Sequence, residues 1–179
     1  MDQTDVKVIK NIFSLDKIED ILQVVANDSS NQIAMDDNKF HRKMIKNNSL
    51  MSRLHKGLLK IIVEESIKKE IVPSLNFLSY YKEGKGKSPV HIDREDCVYT
   101  LSLCMEQTSI WPLKISEFGY NQDELNYPLT ISKIMKNFIS YSTEVGDGII
   151  FNGFRYPHWR DQLHKGNKST IALFHYFPK

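Results

Sequence analysis

The chain is expected to fold as a mainly β domain with helices, an α+β arrangement in which two N-terminal helices pack on an antiparallel barrel or sandwich. Three observations predict it. The first third carries apolar residues at helical spacing. From Asn76 onward the texture changes to short runs rich in β-branched and aromatic residues. The 179 residues, 41% of them hydrophobic, suffice for one sizeable core, so 1–179 is read as a single domain.

Residues 6–12 read as a short strand, and Ser14 as the N-cap of a first helix. Phe13 and Ile18 occupy hydrophobic-staple positions, while Leu15, Ile18, Leu22 and Val25 form its apolar stripe. The Asn-, Asp- and Ser-rich stretch 27–38 reads as a loop. A second helix is expected over 49–70, with Leu50, Leu54, Leu58, Ile61 and Ile62 facing inward, Gly57 inside it and Pro73 closing it. Strands are expected at 77–81, 98–105, 110–115, 137–141, 148–151 and 170–177. Between the fourth-last and the third-last of these runs lies 118–136, the least regular stretch, which reads as a loop that covers substrate.

Composition excludes several classes of function. The net charge is only +2, from 24 basic and 22 acidic residues, so no bulk electrostatic case for nucleic acid exists. The cluster Lys39-Phe40-His41-Arg42-Lys43 with Lys46 reads as a solvated face. The first five residues are polar and acidic with no apolar signal core behind them, and no apolar run is long enough for a membrane span. Cys97 and Cys104, seven apart in one expected strand, point to opposite faces and should not pair. A reducing cytoplasm fits this usage.

The chemistry is concentrated in three residues. His91 and Asp93 stand in Pro89-Val90-His91-Ile92-Asp93, and His158 follows 67 residues later in Tyr156-Pro157-His158-Trp159. Residues i and i+2 of a strand share a face, so a second strand alongside would complete the set. Two imidazoles and one carboxylate are the facial triad of non-haem Fe(II) oxygenases, which leaves metal positions open. The same donors also serve zinc hydrolases, and His91 and Asp93 taken alone are ordinary polar residues at a strand start.

Further matches surround the triad. Lys168 lies ten residues after His158, Tyr81-Lys82-Glu83-Gly84 begins ten residues before His91, and Gly146-Asp147-Gly148-Ile149-Ile150-Phe151 leads toward His158. In this order they resemble the 2-oxoglutarate/Fe(II) dioxygenase superfamily, within it the prolyl-4-hydroxylase-like branch, over roughly residues 76–176. The resemblance implies a double-stranded β-helix of the jelly-roll type, Fe(II) held by His91, Asp93 and His158, 2-oxoglutarate as cosubstrate, and O₂. It implies that Lys168 pairs with the far carboxylate of 2-oxoglutarate and that Tyr81 adds a hydroxyl, with Thr170 a further candidate. Trp111 opens Trp111-Pro112-Leu113-Lys114-Ile115 where many relatives have Gly-Gly, a departure from that branch's substrate pattern.

The remaining candidates are readings of single residues. Arg160 shares a strand face with His158 and either reaches a substrate's anionic group or pairs with Asp161 at the surface. Trp111 is a cavity wall or a substrate contact. Lys82, Lys85 and Lys87 read as solvated loop lysines, and His164 and His175 as structural. The expectation is an Fe(II)- and 2-oxoglutarate-dependent hydroxylase acting on a small molecule, an amino acid or a prolyl-type peptide, with succinate and CO₂ as coproducts. The alternatives are a cupin-like binding protein without turnover and a zinc-dependent hydrolase.

Overall fold

A computed structural model describes residues 6–28 and 32–179. Strand β1 (Val6–Ile9) leads into α1 (Leu15–Asn27). Ser14 caps α1, its hydroxyl accepting the Lys17 N–H at 3.3 Å, and Phe13 and Ile18 are buried in one cluster. Ile18, Ile21 and Val25 form the buried stripe, whereas Leu15, expected in it, is exposed.

The expected loop over 27–38 is corrected in its second half. Ile33–Asp37 (β2) pairs antiparallel with Arg42–Lys46 (β3), Met35 standing opposite Met44. β2 is an edge strand with mostly exposed side chains, so nothing required it to show apolar alternation. The single long helix is also corrected. Gly57, at φ −107° and ψ −110°, separates α2 (Ser49–Lys56) from α3 (Leu58–Ile67). The break turns the buried face to Met51, His55, Leu59 and Val63 and leaves Leu58 and Ile61 exposed. Lys68, left-handed at φ 57°, ends α3. Pro73 lies inside β4 (Ile71–Tyr81), in the part paired with only one neighbour, where its missing N–H costs no ladder bond to a second strand.

The other strands are β5 (Ser88–His91), β6 (Tyr99–Gln107), β7 (Leu113–Ser116), β8 (Phe138–Tyr141), β9 (Gly148–Asn152), β10 (His158–Arg160) and β11 (Ser169–Pro178). They form a seven-stranded sheet ordered β1-β9-β6-β11-β4-β3-β2 and a four-stranded sheet ordered β5-β10-β7-β8, with every pairing antiparallel. This is a double-stranded β-helix with helices on its larger sheet. The stretch 118–136 is not irregular throughout: it holds a 3₁₀ turn at Glu124–Asn126 and α4 (Pro128–Ile134).

Strand alternation sorts side chains into two environments. Leu78, Leu101, Leu103, Met105, Ala172, Phe174 and Tyr176 join the helices' apolar residues in the main core. Phe77, Tyr81, Thr100, Ser102, Ile171, Leu173 and His175 line a cavity between the sheets. Cys97 and Cys104 are buried and unpaired with each other.

His55 ties the helices to this frame: its Nε2 donates to the His175 carbonyl at 2.9 Å and its Nδ1 accepts from Asn76 at 3.1 Å. Burial pushes its pKa down to about 4. Below pH 6.5 the unfolded chain therefore takes up a proton that the folded chain refuses, so stability is full above that pH and falls as pH drops toward 4. Denaturant titration at pH 7.5 and pH 5 should show about 2 kcal/mol lost through His55, read as the difference from His55→Gln.

Candidate metal centre

His91 ends β5 and His158 begins β10, and the two residues stand directly opposite in the ladder. Asp93 follows β5 and is fixed by its own N–H, which donates to the Gly153 carbonyl at 2.8 Å. The structure thus brings His91, Asp93 and His158 together, with one ligand atom from each lying within 4.8 Å of the others. Asp93 Oδ1 is 3.9 Å from His91 Nε2 and 3.8 Å from His158 Nε2.

The tautomers suit metal binding. His91 Nδ1 donates to the Pro89 carbonyl at 2.8 Å, and His158 Nδ1 to the Tyr156 carbonyl at 3.0 Å. A carbonyl only accepts, so each Nδ1 carries a proton, and each ring presents Nε2 toward Asp93. Burial and the neighbouring His158 push the His91 pKa down to about 3, which keeps that ring neutral. Burial alone would raise the Asp93 carboxyl, but His158, His175, His91 and a bond from Thr100 outweigh it and hold the group below the usual range. Two imidazoles that turn Nε2 toward one carboxylate are a donor set that fits a divalent iron site.

A second layer holds Asp93. Thr100 Oγ1 donates to Asp93 Oδ2 at 2.7 Å and accepts from His175 Nδ1 at 2.9 Å. His175, expected to be merely structural, lies 3.8 Å from the same carboxylate oxygen and lines the cavity. Thr100→Val keeps the shape and removes the hydroxyl; it should weaken metal affinity about 10- to 100-fold, measured by Co(II) titration.

The inner cavity, of about 350 Å³, runs from this triad into the barrel. Tyr81 lines it, while Tyr80 lies against the helix-side core. Three arginines also line it, of which Arg42 and Arg160 are buried. Arg42, read from sequence as part of a solvated face, is buried and neutralised by Asp37, with both Nε and Nη2 3.0 Å from Asp37 Oδ2. Its Nη1 reaches the Tyr81 hydroxyl at 3.3 Å. Alternation was the missed signal: Phe40, Arg42, Met44 and Lys46 all line the cavity.

Arg160 is 5% exposed and, among the described residues, pairs with no carboxylate; Asp161 binds Lys114 instead, at 2.5 Å, while the Arg160 side chain turns inward. Its Nη1 donates to the Trp111 carbonyl, its Nη2 donates to Ser102 Oγ at 3.3 Å, and the guanidinium lies 5.1 Å from the Trp111 ring centre. Trp111 is accordingly a wall behind Arg160, also packed on Tyr81 at 4.7 Å, and does not line the cavity.

Lys168 is not in the cavity. Its ammonium pairs with Glu106 Oε1 at 2.6 Å and its side chain is 57% exposed. Thr170 bonds the other oxygen of the same carboxylate, at 3.0 Å. The reason is strand parity. Thr170 stands opposite Tyr80, on the face shared with Ala172 and Phe174, and Lys168 is two residues before it; the cavity face of β11 is the odd one, with Ile171 and His175. Both expected cosubstrate contacts are therefore corrected.

No family model matches the chain, and no curated protein does. Solved structures do. HygX from Streptomyces hygroscopicus, with nickel, 2-oxoglutarate and hygromycin B bound, matches at a TM-score of 0.72 and 11% identity, over 99% of this chain and 84% of its own. The non-heme alpha ketoglutarate dependent epimerase SnoN from nogalamycin biosynthesis matches at 0.71 and 8% identity, over 96% and 78%. EctD from S. alaskensis matches at 0.69 and 16%, over 97% and 73%. The chain shares the double-stranded β-helix fold of these structures. All three residues of the triad line the inner cavity, and Asp93 also lines a second, outer cavity of about 760 Å³, whose wall is drawn from 92–95, 119–124 and 152–155. Among the described residues no helix is long and apolar enough to cross a membrane.

Proposed function

We propose that this protein is an Fe(II)- and 2-oxoglutarate-dependent oxygenase that oxidises a small molecule, by hydroxylation or a related oxidation. The observation that carries the reading is the buried guanidinium of Arg160 on the same strand face as His158. Burial draws its pKa down, a sign that water no longer stabilises the charge. Removing such a charge from water costs several kcal/mol unless an anion compensates, and Arg160 has no ion pair with a carboxylate among the described residues. A dicarboxylate whose far end met Arg160 would supply the missing countercharge in a geometry that guanidinium favours.

In this account His91, Asp93 and His158 hold Fe(II), and bound iron with 2-oxoglutarate and O₂ supplies the oxidising power, giving succinate and CO₂ as coproducts. Tyr81, whose hydroxyl accepts from Arg42, keeps its own O–H free to donate to the same carboxylate as Arg160. Ile171, Leu173 and Phe151 keep the inner cavity dry. With Lys168 outside the cavity, the reading stays at the level of the superfamily and not of the prolyl-4-hydroxylase-like branch. HygX, of the same fold, is solved with hygromycin B bound, which supports a free substrate over a peptide. Two unpaired buried cysteines suit a cytoplasmic setting.

The test is succinate release from 2-oxoglutarate under air. Purified protein reconstituted with Fe(II) should turn over slowly even without substrate, zinc should not replace iron, and His158→Ala should be inactive. Succinate formation independent of Fe(II) would overturn the reading.

A further inference from the structure

The two cavities differ in chemistry, and of the metal candidates Asp93 borders both. Only Ile92, Asp93 and Arg94 line both. The inner cavity presents buried arginines and suits an anion. The outer cavity, about 760 Å³ against about 350 Å³, is large enough for a ligand of several rings.

Its charges point away from an anionic ligand. Arg94 is tied to Asp96 at 2.9 Å, and the Glu124 carboxylate accepts the Asn121 N–H at 2.8 Å. Arg155 contacts the Tyr156 ring at 5.4 Å. Glu95 is exposed, lines the cavity beside Asp93 and forms no ion pair among the described residues. With Asp93 given to the metal and Arg94 paired with Asp96, the carboxylates of Glu95 and Glu124 face the guanidinium of Arg155 and leave this wall slightly acidic. Gln122 and Asn152 add planar amides that donate and accept at once, and Phe154, 43% exposed, gives an apolar ring face. Amides and carboxylates beside a bare aromatic ring match a ligand with many hydroxyls, an apolar ring face and at least one ammonium group.

Resting on the oxygenase reading, we infer that the outer cavity binds an amine-bearing polyhydroxylated small molecule of two or more rings, an aminosugar-type substrate, with Glu95 meeting its ammonium group. Residues from 119–124 form one wall of this cavity.

The test uses protein loaded anaerobically with Fe(II) and 2-oxoglutarate, whose visible charge-transfer band reports that the centre is assembled. Kanamycin, its fully N-acetylated form, raffinose, ATP and the tripeptide Ala-Pro-Ala are titrated by calorimetry. Kanamycin should bind at least tenfold tighter than its N-acetylated form and than raffinose, with ATP and the tripeptide weaker still. Glu95→Gln should shrink the preference for kanamycin over its acetylated form by about fivefold or more. A band with ATP or the tripeptide binding best, with no kanamycin binding, or with the preference untouched by Glu95→Gln overturns the substrate class and leaves the oxygenase reading standing. Absence of the band overturns that reading and the inference with it.

Discussion

Arg160→Met should raise the 2-oxoglutarate concentration needed for half-maximal succinate release about 100-fold, while Lys168→Met changes it less than twofold. The two residues are both cationic and both follow His158, yet one is buried beside the triad and the other is solvated at the surface. Losing a buried charged contact costs about 2–5 kcal/mol, and 1.4 kcal/mol is a factor of ten, so the expected loss is tens- to thousands-fold. Methionine preserves much of the length and packing against Trp111, so a large rise with an unchanged melting temperature isolates the charge. The reverse ranking, Lys168 strong and Arg160 weak, would mean that the cosubstrate lies elsewhere.

The second large effect comes from a residue with no side chain. A Cβ at Gly153 would lie 2.9 Å from Asp93 Cγ and closer still to Asp93 Oδ2, with Thr100 Oγ1 at 3.0 Å. That space is what lets Asp93 take its bond from Thr100 while its other oxygen faces the imidazoles. Gly153→Ala should therefore lower Fe(II) or Co(II) affinity at least 100-fold, more than Thr100→Val does, because it displaces a ligand and not merely a partner of one. Equilibrium dialysis reads the loss directly. Metal affinity within threefold of wild type would show that Asp93 is not a ligand.

The order of elements was largely legible, because capping and period-2 runs are local signals. Ser14, the strand starting near Phe138 and the long final strand are cases in point. The convergence of His91, Asp93 and His158 was legible for the same reason: two of the residues share a short motif, and the third sits in a strand that must come alongside. Lys168 failed on a matter of register. A spacing of ten from His158 says nothing about which face a residue takes once a turn intervenes, and the turn over 161–168 sets even residues of β11 toward the helices. Arg42 failed because a charge cluster looks alike whether it is solvated or alternates into a barrel. Its cost of burial is met by Asp37, within a stretch whose composition resembled a loop. His175 and Gly153 carry no local signal at all, since each matters only through Asp93, distant in sequence.

The central claim is that His91, Asp93 and His158 hold one iron to which 2-oxoglutarate binds. Anaerobic addition of Fe(II) and 2-oxoglutarate, followed by visible absorption, tests it most directly. The account predicts a broad charge-transfer band that saturates at one iron per chain, needs both additions, and is lost in His158→Ala and Asp93→Ala. A protein that binds iron without ever developing that band, or develops it equally in both variants, would contradict the account.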